Sequence, residues 1–498
     1  MKAKLPEQYI TYSNRFSLTS IIHSITKISL DMFKLDDKSK INNVYLRKRY
    51  KVIVDKKNIV GEVSLIQWGL FEALYNIIIN HHNASVSVIS EDESFYLLSL
   101  FNLYQHEKEK EVIKKTKNET FLRLYAILGE QKKFQEVFKI SEVFSRESYI
   151  LENISRVKDS RYKHNIDIES EIQLIFNMNS KKLKNILFLI VAYFSTIANA
   201  FFDADEFCNF SNLCSREEII KVLDYYSVSV EQLKETNLDR QIFYSKPLIK
   251  IKNAYFSVNP ILLFLVFSNS QYWLIRDKFK KENSTAFIEE FGLYFENYIK
   301  EVLTNCVGIS NFKRVDENRD EKRADWMITL DNHTFLVEQK SALSMIGIKQ
   351  QIPNIEELKK YMKKCWGKAI RQLNATENAL NLETPIKIIL VYDDYFKAEC
   401  LDELFKIDET LKDDGRFWLL NTEEFEMLMF LYKKDPTLFF KIVEEKTIDE
   451  ANKSWQGREV CQYLSKYGIK QNEYLINYGI IKKFEDIENF FISGEQNA

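Results

Sequence analysis

Apolar residues at three- and four-residue intervals dominate the first half of the chain, with Trp68–Ile79 and Phe121–Leu128 as clear examples of the helical period. No proline interrupts the stretch between Pro6 and Pro247. Within it, Ser215 stands before REEIIKVLDYY, an N-cap followed by acidic residues in the first turn. The pattern predicts a mostly helical region over 1–245, with an early strand pair around 44–65. Ile186–Phe202 is seventeen residues without a charge, but Ser195, Thr196 and Asn199 lie inside it and Asp203, Asp205 and Glu206 follow. A segment of that length at the lower limit for a bilayer span reads as a buried core helix, not a membrane crossing.

The period changes near 247. Pro247–Val258 alternates on both sides of Asn253-Ala254 and predicts a short hairpin. A helix opened by Asn283 or Ser284 follows, with Ile288, Phe291, Phe295, Ile299 and Val302 on one face. Strand signals then cover Ala324–Leu330, Thr334–Lys340 and Ile386–Tyr392, with a further strand at Phe312–Val315. Between the second and third lies a strongly helical run, Ile355–Leu380. The expected class is α+β: a large helical N-terminal domain (1–245), a second domain over 246–440 with an αβββαβ core at 286–392, and a helical C-terminal extension (441–498).

Composition removes several chemistries. The 498 residues hold 12 glycines and 6 prolines, against 62 Phe and Tyr together (36 and 26). The two closest glycines, Gly61 and Gly69, are eight positions apart, so no G-x-G fingerprint and no G-x-x-x-x-G-K phosphate loop exists. Net charge is −2, so a nucleic-acid surface has to come from local clustering. The six cysteines include no C-x-x-C pair, and none of the six histidines has a metal-ligand spacing. With no signal peptide read at the N-terminus, that pattern suits a reducing cytoplasm.

Candidate chemistry gathers in the second unit. The strand T-F-L-V-E-Q-K ends with Glu338 and Lys340 on one face, because side chains alternate along a strand. Asp325 begins the preceding strand, across a turn at Asp331-Asn332, and an antiparallel hairpin brings it beside Glu338. Two such carboxylates repel unless a hard cation sits between them. From Lys340 to Arg371 the run carries eight basic residues, among them Lys363, Lys364, Lys368 and Arg371, and two acidic ones, a balance of +6. That cluster predicts contact with a nucleic-acid backbone. Tyr361 and Trp366 lie inside it, as base-stacking or core rings. Glu130-Gln131-Lys132 repeats the letters of Glu338-Gln339-Lys340, but it follows a helix-like segment where residues two apart do not share a face.

Asp325 and the Glu338-Gln339-Lys340 triplet, in this order of elements, resemble the PD-(D/E)XK nuclease superfamily, the restriction-endonuclease-like fold. The resemblance covers Ala286 to about Tyr392. Glu296 matches the glutamate that many members carry on the first core helix, and Gln372 the glutamine often found on the helix after E-x-K. Ala324 stands where many members have proline, and Gln339 is polar where an apolar residue is usual. The resemblance implies a Mg2+-dependent (or Mn2+-dependent) nuclease, cutting internally and with DNA ahead of RNA as substrate. Asp325, Glu338 and the Gln339 carbonyl would hold metal, Lys340 would act on water and phosphate, and Glu296 and Gln372 would assist. A helical domain before such a core also resembles stand-alone prokaryotic antiphage nucleases. In that context a trigger or partner protein, and a second copy for two cuts on a duplex, are expected partners. The competing expectation is a degenerate nuclease fold that binds or scaffolds nucleic acid without turnover.

Overall fold

The computed structural model describes residues 5–32, 45–54, 57–82, 84–115, 139–196, 201–203, 214–235, 241–316, 323–341, 355–392, 400–453 and 458–487. The helix-period segment Phe121–Leu128, the Glu130-Gln131-Lys132 copy and Asp393-Asp394 lie outside these residues. The chain is a mixed α+β protein.

Helices α1 (Leu5–Ser13), α2 (Leu18–Met32), α3 (Gln67–Asn80) and α4 (Glu91–Lys115) open the chain, around an antiparallel pair β1 (Tyr45–Val54) and β2 (Lys57–Ile66). The early strand pair is therefore where the alternation put it. Helices α5 (Ile140–Glu152), α6 (Ile168–Phe176) and α7 (Ser180–Thr196) follow, and strand β3 (Phe201–Asp203) comes after them. In α7 the apolar run buries Ile186, Leu187, Ile190, Val191, Tyr193 and Phe194. Among the described residues no helix is long and apolar enough to cross a membrane. Ser215 caps α8 (Arg216–Tyr225) in a reciprocal capping box with Glu218. A four-stranded sheet then forms in the order β3-β6-β5-β4 from β4 (Ser227–Ser229), β5 (Leu248–Ile251) and β6 (Ala254–Ser257). The β5–β6 hairpin turns at Lys252, which takes a positive φ of 54°. Alternate residues of this sheet serve two cores: Ile249 and Phe256 face α1–α4, whereas Leu248 and Tyr255 join the larger core on the other side.

After α9 (Val230–Glu235), α10 (Ile242–Ser245), α11 (Pro260–Ser268) and α12 (Ser270–Lys281) comes α13 (Ala286–Cys306). Its buried stripe begins with Phe287, Glu290 and Tyr294, so Ile288 is left 40% exposed instead of joining Phe291, Phe295, Ile299 and Val302. Five strands follow: β7 (Phe312–Arg314), β8 (Trp326–Leu330), β9 (His333–Lys340), β10 (Ile386–Val391) and β11 (Phe417–Asn421), in sheet order β11-β10-β9-β8-β7. The first three form an antiparallel meander, while β10 and β11 run parallel to β9. The β9-to-β10 crossover contains α14 (Ile355–Met362), a π-helical turn at Lys363–Gly367 and α15 (Lys368–Leu380), and α16 (Cys400–Ile407) connects β10 to β11.

Each face of this sheet has its own cover. Trp326, Ile328, Phe335, Val337, Ile388 and Trp418 pack toward α13 and α17 (Thr422–Lys434), and Leu336, Ile389, Val391 and Leu419 pack beneath α14, α15 and α16. Trp366 is fully buried in the second layer with Tyr361 edge-on at 6.0 Å, so both rings are core elements. Helices α18 (Pro436–Ala451), α19 (Val460–Lys466) and α20 (Glu473–Asn477) complete the larger core, which runs from Phe144 to Ile487 and thus crosses residues 245 and 440 without a break. Phe484 packs against Phe144, Phe188 and Phe267.

Candidate active site

The β8–β9 register decides what meets. Trp326 pairs with Val337, so the next residues outward, Asp325 and Glu338, lie opposite one another. Asp331 makes the connecting turn at a φ of 48°. Asp325 is held from both sides: its N–H donates to the Val337 carbonyl at 3.0 Å and its own carbonyl accepts from the Val315 N–H at 3.0 Å. Its carboxylate Oδ2 accepts the Gln339 N–H at 2.8 Å. Directly opposed side chains share a face of the sheet, and this face is the one under α14 and α15.

Glu338 sits on the central strand, 3% exposed. The Lys340 ammonium contacts its Oε1, and Oε2 is buried with no hydrogen-bond partner. Lys340 Nζ also donates to Gln372 Oε1 at 3.1 Å, and Gln372 Nε2 donates to the Arg323 carbonyl at 3.1 Å. Gln372 on α15 thereby ties the lysine to the segment that delivers Asp325. One turn later, Thr376 Oγ1 accepts the Ala324 N–H at 2.7 Å. The polar Gln339 points to the other face, where its Oε1 accepts from the Trp326 indole at 3.3 Å. Packing beneath the site is therefore closed by a polar pair across two strands.

Burial pushes the Asp325 carboxyl well above its ordinary range, and the charge of Glu338 pushes it further. Burial also raises Glu338, with Lys340 opposing and the more distant Lys368 helping to oppose. Two desolvated carboxylates with one unsatisfied oxygen form an all-oxygen donor set. Such a set suits Mg2+, which binds through one or two carboxylates and keeps several waters. Asp325, Glu338 and the Gln339 carbonyl fit that ion. No group of three or more His, Cys, Asp or Glu side chains that could hold a metal is found among the described residues.

Glu296, 6% exposed, has a different neighbourhood from the simple i,i+4 pairing with Lys300 that its helix position suggests. Arg161 Nη1 lies 2.7 Å and Arg314 Nε 3.1 Å from its Oε1. Its charge still reaches Asp325. Arg161 belongs to a strap that crosses α13. Glu290, almost fully buried, accepts the successive N–H groups of His164, Asn165 and Ile166 at 2.5, 2.7 and 3.0 Å. Asp159 receives Arg161 Nη2 at 2.6 Å and Asn297 Nδ2 at 3.1 Å. Nothing in the sequence signals this strap, because its partners are more than a hundred positions apart.

The predicted basic cluster divides. Lys363, Lys364, Lys368 and Arg371 are all exposed. Arg371 is taken by Asp408 at 2.8 Å and Thr410 at 3.0 Å. Lys363 and Lys364 sit on the π-helical turn and pair with no described carboxylate. Lys368 is the one whose charge acts on Glu338. None of the described cysteines (Cys214, Cys306, Cys365, Cys400, Cys461) is in a disulfide. No protein-family model, no curated protein and no solved structure matches the chain.

Proposed function

We propose that this chain is a Mg2+-dependent nuclease of the PD-(D/E)XK type, cutting phosphodiester bonds within DNA in preference to RNA. One observation carries the reading: Asp325 stands opposite Glu338 on adjacent strands, with Lys340 on the same face of the central strand and Gln372 fastened to its ammonium. The αβββαβ order around it and the buried, unpartnered Glu338 Oε2 support the same reading. Asp325, Glu338 and the Gln339 carbonyl hold the cation, which when bound supplies Lewis acidity and lowers the pKa of water. Lys340 presents an ammonium beside both carboxylates. There it orients the attacking water and offsets charge that develops on the phosphoryl oxygens. Gln372 fixes the Lys340 ammonium in place. Water adds to phosphorus and a P–O bond to one sugar oxygen breaks, leaving a phosphomonoester and a hydroxyl. Lys363, Lys364 and Lys368 line the approach as phosphate contacts.

The scaffold alternative drew on the polar Gln339, and the Trp326 indole accounts for that residue as a structural partner. The helical region before the core fits the role of sensor or access control, as in antiphage effectors. The test is direct: incubate the purified chain with supercoiled plasmid, linear duplex and RNA, with Mg2+, Mn2+ or EDTA. Cutting of DNA that requires metal, and that disappears in both Asp325→Ala and Lys340→Ala, is the expected result. Cutting that survives both substitutions removes the assignment. A fully folded wild-type chain that leaves every substrate intact favours the scaffold reading.

A further inference from the structure

A cavity of about 980 Å³, lined by none of the residues around the two acids, is walled by α2, the 88–91 segment, β3 and the β5–β6 hairpin. That is the size of a small-molecule site. Its lining combines aromatic rings with cations. The rings of Phe201 and His23 are 5.7 Å apart, with Phe256 at 5.7 Å from Phe201 and 6.5 Å from His23. Phe201 remains 37% exposed although its neighbours are packed, so one aromatic face stays open to an incoming group. Val88, at the same rim, is 77% exposed. Burial, with Lys27 nearby, lowers the His23 pKa. A neutral imidazole offers one donor and one acceptor.

Two cations of the lining are open to an anion. Lys27 on α2 and Lys252 on the β5–β6 hairpin are exposed and pair with no described carboxylate. The acidic lining residues Asp31, Glu91 and Asp203 already take part in interactions of their own. A partly exposed aromatic ring next to two ammonium groups without a described carboxylate partner matches a planar heteroaromatic ring that carries a phosphate.

We propose that this cavity binds a mononucleotide, with the base against Phe201 and His23 and the phosphate between Lys27 and Lys252. The proposal is independent of the nuclease reading and gives the helical region a ligand of its own.

Calorimetric titration of the full chain tests it, in EDTA and in the Asp325→Ala background, so that metal-dependent binding at the acids does not contribute. AMP and ATP should bind. Adenosine and inorganic phosphate, each carrying half of the recognition, should bind at least about tenfold more weakly. Phe201→Ala and the surface change Lys252→Glu should each weaken AMP about tenfold, with the melting temperature unchanged. The proposal is overturned if neither nucleotide gives heat, if both variants bind AMP as the parent does, or if dodecanoate binds where the nucleotides do not. The last result would identify an acyl-chain pocket.

Discussion

Glu338 and Glu426 are both glutamates sealed in the interior, yet their surroundings differ in one respect. Glu426 is saturated: Arg146 meets it in a bidentate pair at 2.6 Å for each bond, Tyr298 donates at 2.5 Å and Asn472 at 2.5 Å. Glu338 has one lysine on Oε1 and nothing on Oε2, with a second carboxylate opposite. A buried carboxylate must be balanced by something, because desolvating an unpaired charge is costly. At Glu426 the chain itself provides the balance. At Asp325 and Glu338 it falls short, and burial raises both carboxyls above their ordinary range. Glu147 shows a third solution. It accepts the Tyr272 N–H at 2.8 Å, its Oε2 is also unpartnered, and burial pushes its pKa to about 8, so near neutrality it keeps a proton. Glu426 is balanced by side chains of the chain, Glu147 by a proton of its own, and Asp325 and Glu338 stand opposite one another with a single lysine on Glu338.

The comparison breaks most visibly at the acids. Asp325→Ala or Glu338→Gln should reduce DNA cleavage by about 10²-fold or more, measured as initial rates on plasmid. In the same Glu338→Gln protein, metal-free stability in urea should rise, because a poorly compensated buried charge has gone. At Glu426 the sign reverses: Arg146→Met strands a fully buried charge and should cost about 3–5 kcal/mol, read from urea unfolding. If Arg146→Met is neutral, the contrast between the two glutamates fails.

A smaller effect concerns pH. The folded pKa of Glu147 lies above its unfolded value, so its contribution to stability is complete below the unfolded pKa. That contribution is lost as pH rises through about 8. Melting temperature should therefore fall from about pH 4.5 to about 8 and level off above, and Glu147→Gln should flatten that slope. The smallest change is at Gln372. Removing one hydrogen bond to Lys340 in Gln372→Ala is worth about 0.5–1.5 kcal/mol, a loss of roughly threefold to tenfold in cleavage rate. Gln372→Glu, which keeps an acceptor for the ammonium, should lose less than Gln372→Ala, which separates positioning of the lysine from a general loss of structure.

Local pattern carried four of the five strands of the sheet and the meeting of the acids, whereas the edge strand β11 was not read. Alternation in Thr334–Lys340 and the turn at Asp331-Asn332 together determine that Asp325 faces Glu338, and the register is that one. Capping at Ser215 and the hairpin around Lys252 were legible for the same reason, since every interaction in them is short in sequence. Long-range contacts left no such trace. Arg161 and Arg314 on Glu296, and the three N–H groups on Glu290, depend on tertiary packing that no periodicity encodes. The π-helical turn at Lys363–Gly367 was equally silent, because its KKCWG residues also suit an ordinary helix. Ile288 shows the limit of face-reading: the stripe on α13 shifts where the strap, not the sheet, covers it.

The bond between Arg146 and Glu426 closes a loop of 280 residues, and Asn472 adds to it from further along the chain. A nascent polypeptide that has emerged as far as Lys340 already carries both acids and the ammonium. It has no partner for Arg146, no α17 behind the sheet and no Phe484 against Phe144. Long-range closures of this kind come late in folding. Rigid geometry at the acids therefore lags behind their synthesis, and a ribosome-bound chain would carry the reactive groups before it has the frame that aligns them.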